Sequence, residues 1–170
     1  MSEEVDRSNS LRGNFMETAS IIETSITERN IANATKLIEE VINTGKLELC
    51  HRYLAADRID HTDYGLPSGM ANGHEGFKRV LGGFLEAFPD LHLEVQFTVA
   101  DDDQVVFYVS TTGTHRGPFM GMAPTGKQFK ANGTDIFRFN DEGKVAAHWG
   151  VFDTFGMLAQ LGLFPPPRQS

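Results

Sequence analysis

The stretch that decides the fold runs from Gly133 to Asp153 and reads GTDIFRFNDEGKVAAHWGVFD. Apolar and polar residues alternate on both sides of the segment 140–143 (NDEG), which predicts two β-strands joined by a tight turn. If the loop has two or four residues, opposed positions have a constant sum, and Asp135 lies directly across from His148. Opposed residues share one face of the sheet. The sequence therefore predicts contact between a carboxylate and an imidazole.

The face of the hairpin that carries this pair is otherwise apolar. In such surroundings burial and neighbouring charges shift pKa values, so proton transfer becomes possible. We interpret His148 as a general base and Asp135 as the group that fixes its tautomer. An ion pair that only holds the hairpin in register is the alternative, and a change of one residue in the turn would separate the two side chains. The other residues predicted on this face are Phe137, Phe139, Ala146, Gly150 and Phe152.

The length and composition restrict the class of protein. A chain of 170 residues is expected to form one domain with a complete core. Its formal net charge of −8 disfavours nucleic acids and anionic membranes as partners. The polar start, MSEEVDRSNS, and the lack of a long apolar run predict a soluble, cytoplasmic protein. We expect its ligand to be a small hydrophobic molecule.

The sequence gives no support for metal or cofactor chemistry. Cys50 is the only cysteine, which excludes an internal disulfide and a thiolate zinc site. The six histidines form no HxH or HExxH pair. The sequence also contains no nucleophile elbow, phosphate-binding loop or dinucleotide fingerprint. We expect neither a metal nor a cofactor.

Composition divides the chain into three segments. Residues 1–29 are a polar N-terminal extension that we expect to be partly disordered or helical. Residues 30–165 contain the apolar periodicities of a folded domain, and residues 166–170 form a short tail. We therefore expect a single folded domain between two terminal segments.

The periodicity within the domain predicts helices first and strands second. Apolar residues recur at helical spacing before Asn43, and an aromatic stripe follows between Asn72 and Phe88. From Leu91 to Val99 apolar and polar residues alternate, which predicts a strand with one wet face. This order predicts an α+β fold in which N-terminal helices pack in a strongly curved antiparallel sheet. Such a cone can hold one small ligand.

Several ordered motifs in the domain occur together in one known family. They are FPDL at 88–91, GTHRGPFMGMAPTGK at 113–127, the D-x-G-K-x-x-x-H-W strand at 141–149, Asp153, and QLG at 160–162. Together they resemble the SnoaL-like polyketide cyclase family. The resemblance implies a nuclear-transport-factor-2-like (NTF2-like) cone and a ring closure by intramolecular aldol reaction, without metal or cofactor. It also implies a homodimer that pairs through the sheet.

Two positions depart from the pattern that the resemblance implies. In the cyclases an acid/base aspartate directly follows the position of Trp149, and here that position is Gly150. Asp135 occupies the position of a pocket histidine. The chain thus has aspartate in place of the histidine and glycine in place of the aspartate, so its chemistry is either changed or lost.

The remaining candidate residues each have a structural alternative. Asp153 is a further catalytic candidate if the strand bulges at Gly150, and otherwise it caps the last helix. His115 either faces the mouth of the cone or holds its glycine-containing loop in shape. His61 and Tyr64 precede a flexible loop and could line the entrance. The predicted substrate-binding residues are His61, Tyr64, His115, Phe119, Met122, Phe137, Trp149 and Gly150.

These observations predict a cofactor-independent cyclase or isomerase, of lyase or isomerase type, for a hydrophobic polyketide-derived intermediate of natural product biosynthesis. Asp135 and His148 would exchange protons while an apolar wall holds the substrate folded. Conformational control of a cycloaddition or an epoxide opening is an enzymatic alternative. Gly150 favours a third reading, a cone that only binds a small hydrophobe, and a cone filled by its own side chains would indicate a structural dimerisation domain.

Overall fold

A computed structural model describes residues 26–164 of the chain. Most of the predicted extension at 1–29, and the tail at 166–170, lie outside the described residues, and the predicted boundary near Asn30 stays a prediction. Helix α1 is present from residue 26 to residue 42; it is α-helical to residue 36 and π-helical over Leu37–Ile42. The other elements are a 3-10 helix at Leu47–Arg52, β1 at Leu54–Asp60, α2 at Gly73–Ala87, β2 at His92–Asp101, β3 at Gln104–Thr114, β4 at Gln128–Phe139, β5 at Val145–Phe152 and α3 at Thr154–Leu161.

The strands form one sheet in the order β1-β5-β4-β3-β2. Neighbours from β2 to β5 are antiparallel, whereas β1 joins the edge parallel to β5. The sheet is curved and does not close on itself, and the helices pack against it, so the α+β class predicted from periodicity is confirmed. The parallel edge has a direct consequence for chemistry, because it pairs Asp60 with His148.

Two apolar clusters stabilise this arrangement. The first packs the buried stripe of α1, including Leu37 and Val41, against Phe107 and Phe137 of the central strands. The second packs α2 and α3 against the start of β4, with Phe88 in edge-to-face contact with Phe129 at 5.1 Å. Each such fully buried side chain contributes about 1.5–3 kcal/mol. The clusters leave a hollow between them, described below.

The hairpin of β4 and β5 turns at the predicted residues but with a different loop length. Asn140 N donates to Lys144 O at 2.9 Å and Gly143 N donates to Asn140 O at 2.9 Å, so three residues form the loop. Gly143 has a φ of +73°, the left-handed conformation that such a loop requires. A further register shift of one residue lies between Arg138 and Phe139, where the partner changes from Ala147 to Val145.

These two departures, of one residue each, change which residues are directly opposed. They leave Asp135 and His148 on the same face of the sheet. Phe137, rather than Asp135, is directly opposite His148, and Asp135 is opposite Gly150. The predicted direct opposition of Asp135 and His148 is therefore wrong. A shift of two positions in total keeps both side chains on one face, since side chains alternate with a period of two. The predicted contact is confirmed as a diagonal one, at 3.1 Å between His148 Nε2 and Asp135 Oδ1.

Strand β2 also departs from regular alternation. Its register with β3 shifts between Val95 and Phe97. Beyond the shift, Phe97 and Val99 are 56% and 58% exposed, and Phe97 stacks on Tyr108 at 5.1 Å. The prediction of a single apolar face from Leu91 to Val99 is therefore wrong past Val95. A bulge there turns Phe97 and Val99 to the outer surface of the sheet.

The loop glycine gives a stability prediction. We expect Gly143→Ala to lower the free energy of unfolding by about 1–2 kcal/mol, because a Cβ is disfavoured in the left-handed region. The added atom would also lie 2.7 Å from Arg29 Nε. Urea unfolding measures the effect.

Gly83→Ala is the matched control. Gly83 lies on the exposed surface of α2, and a Cβ there meets nothing within 4 Å. Alanine should raise the free energy of unfolding by about 0.5–1 kcal/mol. Equal effects of the two substitutions would show that the left-handed loop does not constrain the hairpin.

Candidate active site

The hollow between the two clusters is a cavity of about 480 Å³. This volume lies within the range of small-molecule sites. Its wall is largely apolar and is supplied by α1, α2, α3 and the inner face of the sheet. The aromatic residues of the wall are Phe77, Phe84, Phe119, Phe129, Phe137 and Phe152.

Polar groups are concentrated in one corner of this cavity, where β1, β4 and β5 meet. Strand β1 supplies Asp60 and Arg58, and β4 and β5 supply Asp135 and His148. The loop after β1 adds further polar groups. The polar residues of this corner are Arg58, Asp60, Thr62, Asp63, Tyr64, Asp135 and His148.

His148 lies between two carboxylates. Its Nδ1 is 3.1 Å from Asp60 Oδ1, and its Nε2 is 3.1 Å from Asp135 Oδ1. The ring is buried and stacks on Phe137 with centroids 5.2 Å apart. A carboxylate only accepts hydrogen bonds, so both ring nitrogens must donate. This geometry is that of an imidazolium cation.

The charged groups of this corner shift one another's pKa values. Burial lowers the pKa of His148, but the hydrogen bonds to Asp135 and Asp60 outweigh burial and raise it. Burial likewise opposes ionisation of Asp60. The hydrogen bond and charge of His148, together with the charge of Arg58, nevertheless lower the pKa of Asp60 to about 2. Both shifts favour a cation at His148 next to an ionised Asp60.

Arg58 fixes the position of Asp60. Its guanidinium forms an ion pair with that carboxylate, donates to Ala71 O at 3.2 Å and lies 5.7 Å from the centre of the Phe77 ring. Arg58 is 3% exposed. Asn72 Oδ1 accepts from the Asp60 backbone N–H at 2.9 Å. Asp60 is thus held by contacts from two elements before it meets His148.

Asp60 and Arg58 are not among the site residues predicted from the sequence. The two are separated by Ile59, which alternation favours as the inward residue of a strand. In the structure Ile59 is 46% exposed, and the charged residues on either side face inward. Only the parallel pairing of Asp60 with His148 explains this inversion, and no local pattern predicts it.

Of the two carboxylates in contact with His148, Asp135 is the one with a free oxygen. Its Oδ1 accepts from His148, and its Oδ2 has no hydrogen-bond partner among residues 26–164. The side chain is 23% exposed, whereas that of Asp60 is 2% exposed. A group that must take a proton from a ligand needs this access. Asp135 therefore has the geometry of a base.

The predicted substrate-binding residues divide into two sets. Four line the cavity: Tyr64, Phe119, Phe137 and Gly150. The other four do not line it: His61, His115, Met122 and Trp149. The further catalytic candidate, Asp153, does not line the cavity either.

The residues outside the lining have visible structural roles. Trp149 alternates to the outer face of the sheet, where it stacks on His61 with centroids 4.5 Å apart. His115 is buried, and its Nδ1 accepts from Thr125 N at 3.2 Å, which holds the loop in shape. Asp153 caps α3 by accepting from Gly156 N at 2.8 Å. We therefore leave these residues out of the proposed site.

Gly150 makes room for the polar corner. Its N–H donates to Thr62 Oγ1 at 2.7 Å. A Cβ at this position would lie 3.1 Å from Thr62 Oγ1, 3.2 Å from His148 Cε1 and 3.5 Å from Asp135 Oδ1. A larger side chain would therefore displace the groups that surround His148.

Two further findings concern the described residues only. Within residues 26–164, no group of three or more His, Cys, Asp or Glu side chains is arranged to hold a metal ion. Both nitrogens of His148 are directed at carboxylates, which leaves this ring no lone pair for a metal. In the same part of the chain, no helix has the length and hydrophobicity needed to span a membrane.

The fold and its cavity define an NTF2-like domain. The chain belongs to the SnoaL-like polyketide cyclase family, whose pattern it matches over residues 32–161. A search of curated proteins found no match.

Solved structures agree with this assignment. IdmH of Streptomyces antibioticus, a candidate polyketide cyclase, is 33% identical with a TM-score of 0.68, over 78% of this chain and 98% of that one. AclR of Streptomyces galilaeus, a candidate hydroxylase, is 29% identical with a TM-score of 0.70, over 82% and 99%. A candidate SnoaL-like polyketide cyclase from Jannaschia sp. CCS1, at 20% identity and a TM-score of 0.72 over 82% and 96%, shows the same fold.

The raised pKa of His148 predicts a pH dependence of stability. Between its unfolded value of about 6.5 and its raised folded value, the folded state binds more protons than the unfolded state. The free energy of unfolding should therefore fall as pH rises through this window, with a limiting slope of about 1.4 kcal/mol per pH unit. Urea unfolding at a series of pH values measures the slope.

Asp135→Asn tests the origin of this slope. Removing one anion should lower the pKa of His148, measured by NMR titration of the ring, and move the end of the window to lower pH. Asp57→Asn, on the exposed side of β1, is the matched control and should leave both unchanged. An unshifted His148 titration in the Asp135 variant would contradict the charged arrangement.

Proposed function

We propose that the protein is a cofactor-independent cyclase or isomerase that removes and returns a proton on a small hydrophobic, polyketide-derived carbonyl compound. The observation that supports this most is that Asp135, whose Oδ1 is bound to the buried ring of His148, lines a largely apolar cavity and has a free second oxygen. Membership of the SnoaL-like polyketide cyclase family supports the substrate class.

The contacts favour Asp135 as the base and His148 as its partner. Both nitrogens of His148 are already engaged, so this ring has no lone pair with which to take a proton. The cation instead stabilises ionised Asp135 and can supply a proton to it. We therefore reverse the roles that the sequence analysis gave to the two residues.

The apolar wall supports a second contribution. Six phenylalanines in the wall can hold a flexible chain in one folded conformation, and ordering of this kind contributes several kcal/mol to an intramolecular reaction. This contribution requires no proton transfer. It is also the basis of the alternative reactions, a cycloaddition or an epoxide opening under conformational control.

A non-catalytic binding protein is the second candidate function. Gly150 favours it, because the carboxylate that the family resemblance implies at this position is missing. A structural domain with a filled cone has no such support, since the cavity has a volume of about 480 Å³.

We also propose that the chain forms a homodimer through the outer face of its sheet. The exposed Phe97 and Val99 support this, since contiguous exposed apolar residues often mark an interface. A cytoplasmic location stays a prediction.

Solvent exchange tests the proposed chemistry without knowledge of the natural substrate. We expect wild-type protein in D₂O to introduce deuterium next to the carbonyl group of fused-ring β-keto esters. Loss of the corresponding ¹H NMR signal measures the rate of exchange. Asp135→Asn should slow the exchange by about 10²- to 10⁴-fold, because it removes the base. His148→Gln should also slow it.

Asp153→Asn is the control for this assay. Asparagine is as good a helix cap as aspartate, so fold and exchange rate should be retained. Exchange that is equally fast in Asp135→Asn and wild type would rule out Asp135 as the base. Tight binding of the esters with no exchange at any pH would favour the binding protein.

A further inference from the structure

Tyr64 is the residue of the polar corner whose present contact is weakest. It lines the cavity, and its hydroxyl is 3.4 Å from Asp60 Oδ2, at the long end of hydrogen bonding. The same oxygen of Asp60 already forms the ion pair with Arg58. The phenol therefore gains little from Asp60 and can turn to a better acceptor in the cavity.

The charged donors of the corner are engaged, and of its two hydroxyl groups that of Thr62 already has a short contact. His148 uses both ring nitrogens, and Arg58 is bound to Asp60 and to the Ala71 carbonyl. Thr62 Oγ1 accepts from the Gly150 N–H. An oxygen of a ligand that enters the corner therefore finds the hydroxyls of Tyr64 and Thr62 as donors among the described residues, and that of Tyr64, with its one long contact to Asp60, is the less engaged of the two.

The loop that carries Tyr64 is fixed at both of its ends. At the start, Thr62 N donates to Asp60 Oδ1 at 3.0 Å, and Thr62 is also bound to Gly150. At the end, Asn72 accepts from Asp60 N and Ala71 accepts from Arg58. These contacts hold the loop that carries Tyr64 beside the corner, so the hydroxyl has a short distance to move to a ligand, and a donor held near its acceptor is effective in stabilising developing charge.

The phenol also stays protonated. Burial raises its pKa, and the negative charge of Asp60 raises it further. Tyr64 consequently stays a hydrogen-bond donor, and it does not compete with Asp135 for the proton of a ligand.

We propose that Tyr64 donates a hydrogen bond to the carbonyl oxygen of the substrate while Asp135 removes a proton from the adjacent carbon. This assignment rests on the proposed function. The C–H electron pair becomes the carbon–carbon double bond of an enolate, and the carbonyl π electrons move to the oxygen that faces Tyr64. The proton stays on Asp135 until it returns to carbon in an isomerisation, or to the alkoxide formed by ring closure.

The shape of the cavity extends this assignment to the rest of the substrate. Phe129 and Asp135 both line the cavity from β4 and are six residues apart, which corresponds to about 20 Å of strand. Phe119 and Phe129, which both pack against Phe88, line the cavity away from the charged corner. The substrate should therefore have one enolisable ketone or β-dicarbonyl end and an elongated apolar body.

Binding of 2-naphthol, whose neutral and ionised forms have different fluorescence, tests the donor directly. The probe is used with Asp135→Asn, because the neutral amide imitates the protonated base that accompanies an enolate. We expect this variant to bind the naphtholate ion in preference to the neutral phenol. Adding Tyr64→Phe should weaken naphtholate binding about 10- to 100-fold, since a hydrogen bond to a charged group is lost.

Tyr108→Phe in the same background is the matched control. Tyr108 lies on the outer face and stacks on Phe97, so removal of its hydroxyl should leave naphtholate binding unchanged. Equal affinity with and without the Tyr64 hydroxyl would overturn the proposal, and so would a failure of Asp135→Asn to bind naphtholate at all.

The two proposals fail separately. If naphtholate binding depends on Tyr64 but wild-type protein exchanges no deuterium, the donor site stands and the proton-transfer function is lost. If exchange depends on Asp135 while Tyr64→Phe exchanges at the wild-type rate, the base stands and the donor assignment is lost.

Discussion

A single buried cation, the ring of His148, connects three strands of the sheet. It is bound by Asp60 of β1 and Asp135 of β4 and is carried by β5. Burial of charged groups is costly unless each has a partner, and loss of one partner leaves an uncompensated charge. Here the compensation continues to Arg58, which is itself bound to a backbone carbonyl and covers an aromatic ring. The positions of the reactive groups are thus fixed by the same contacts that hold the edge of the sheet together.

Much of the fold and half of this cluster could be predicted from the sequence, for reasons that lie in local geometry. Asp135 and His148 are 13 residues apart in one hairpin, where alternation sets the face of each side chain. The predicted loop length was wrong by one residue, and the bulge, which adds one more, was not predicted; because the total shift is an even number of residues, both side chains stayed on one face. Asp60 could not be found in this way. It is 88 residues from His148, and a parallel edge pairing has no turn from which a register can be counted.

The family resemblance implies an exchange of residues at positions 135 and 150, and the register shows how these two positions are related. The two positions are directly opposite each other, and a Cβ at Gly150 would lie 3.5 Å from Asp135 Oδ1. A second carboxylate at 150 would place like charges side by side, which disfavours ionisation of both. With glycine there, Thr62 reaches the backbone of β5, and the loop after β1 is tied to the corner. Glycine at position 150 therefore accounts both for the missing carboxylate and for the attachment of the loop to β5.

The parallel attachment of β1 to β5 also constrains the order in which the molecule can assemble. Strand β5 is among the last elements of the chain, so Asp60 has no access to its histidine until most of the protein has been synthesised. Contacts of such large sequence separation form late, because the intervening chain must be ordered first. Apart from His148, Arg58 is the cation that Asp60 contacts among the described residues, and it lies two residues away on the same strand, where it is available during that interval. Pairing with Arg58 would keep the carboxylate of Asp60 from being buried without a partner until the hairpin of β4 and β5 has formed.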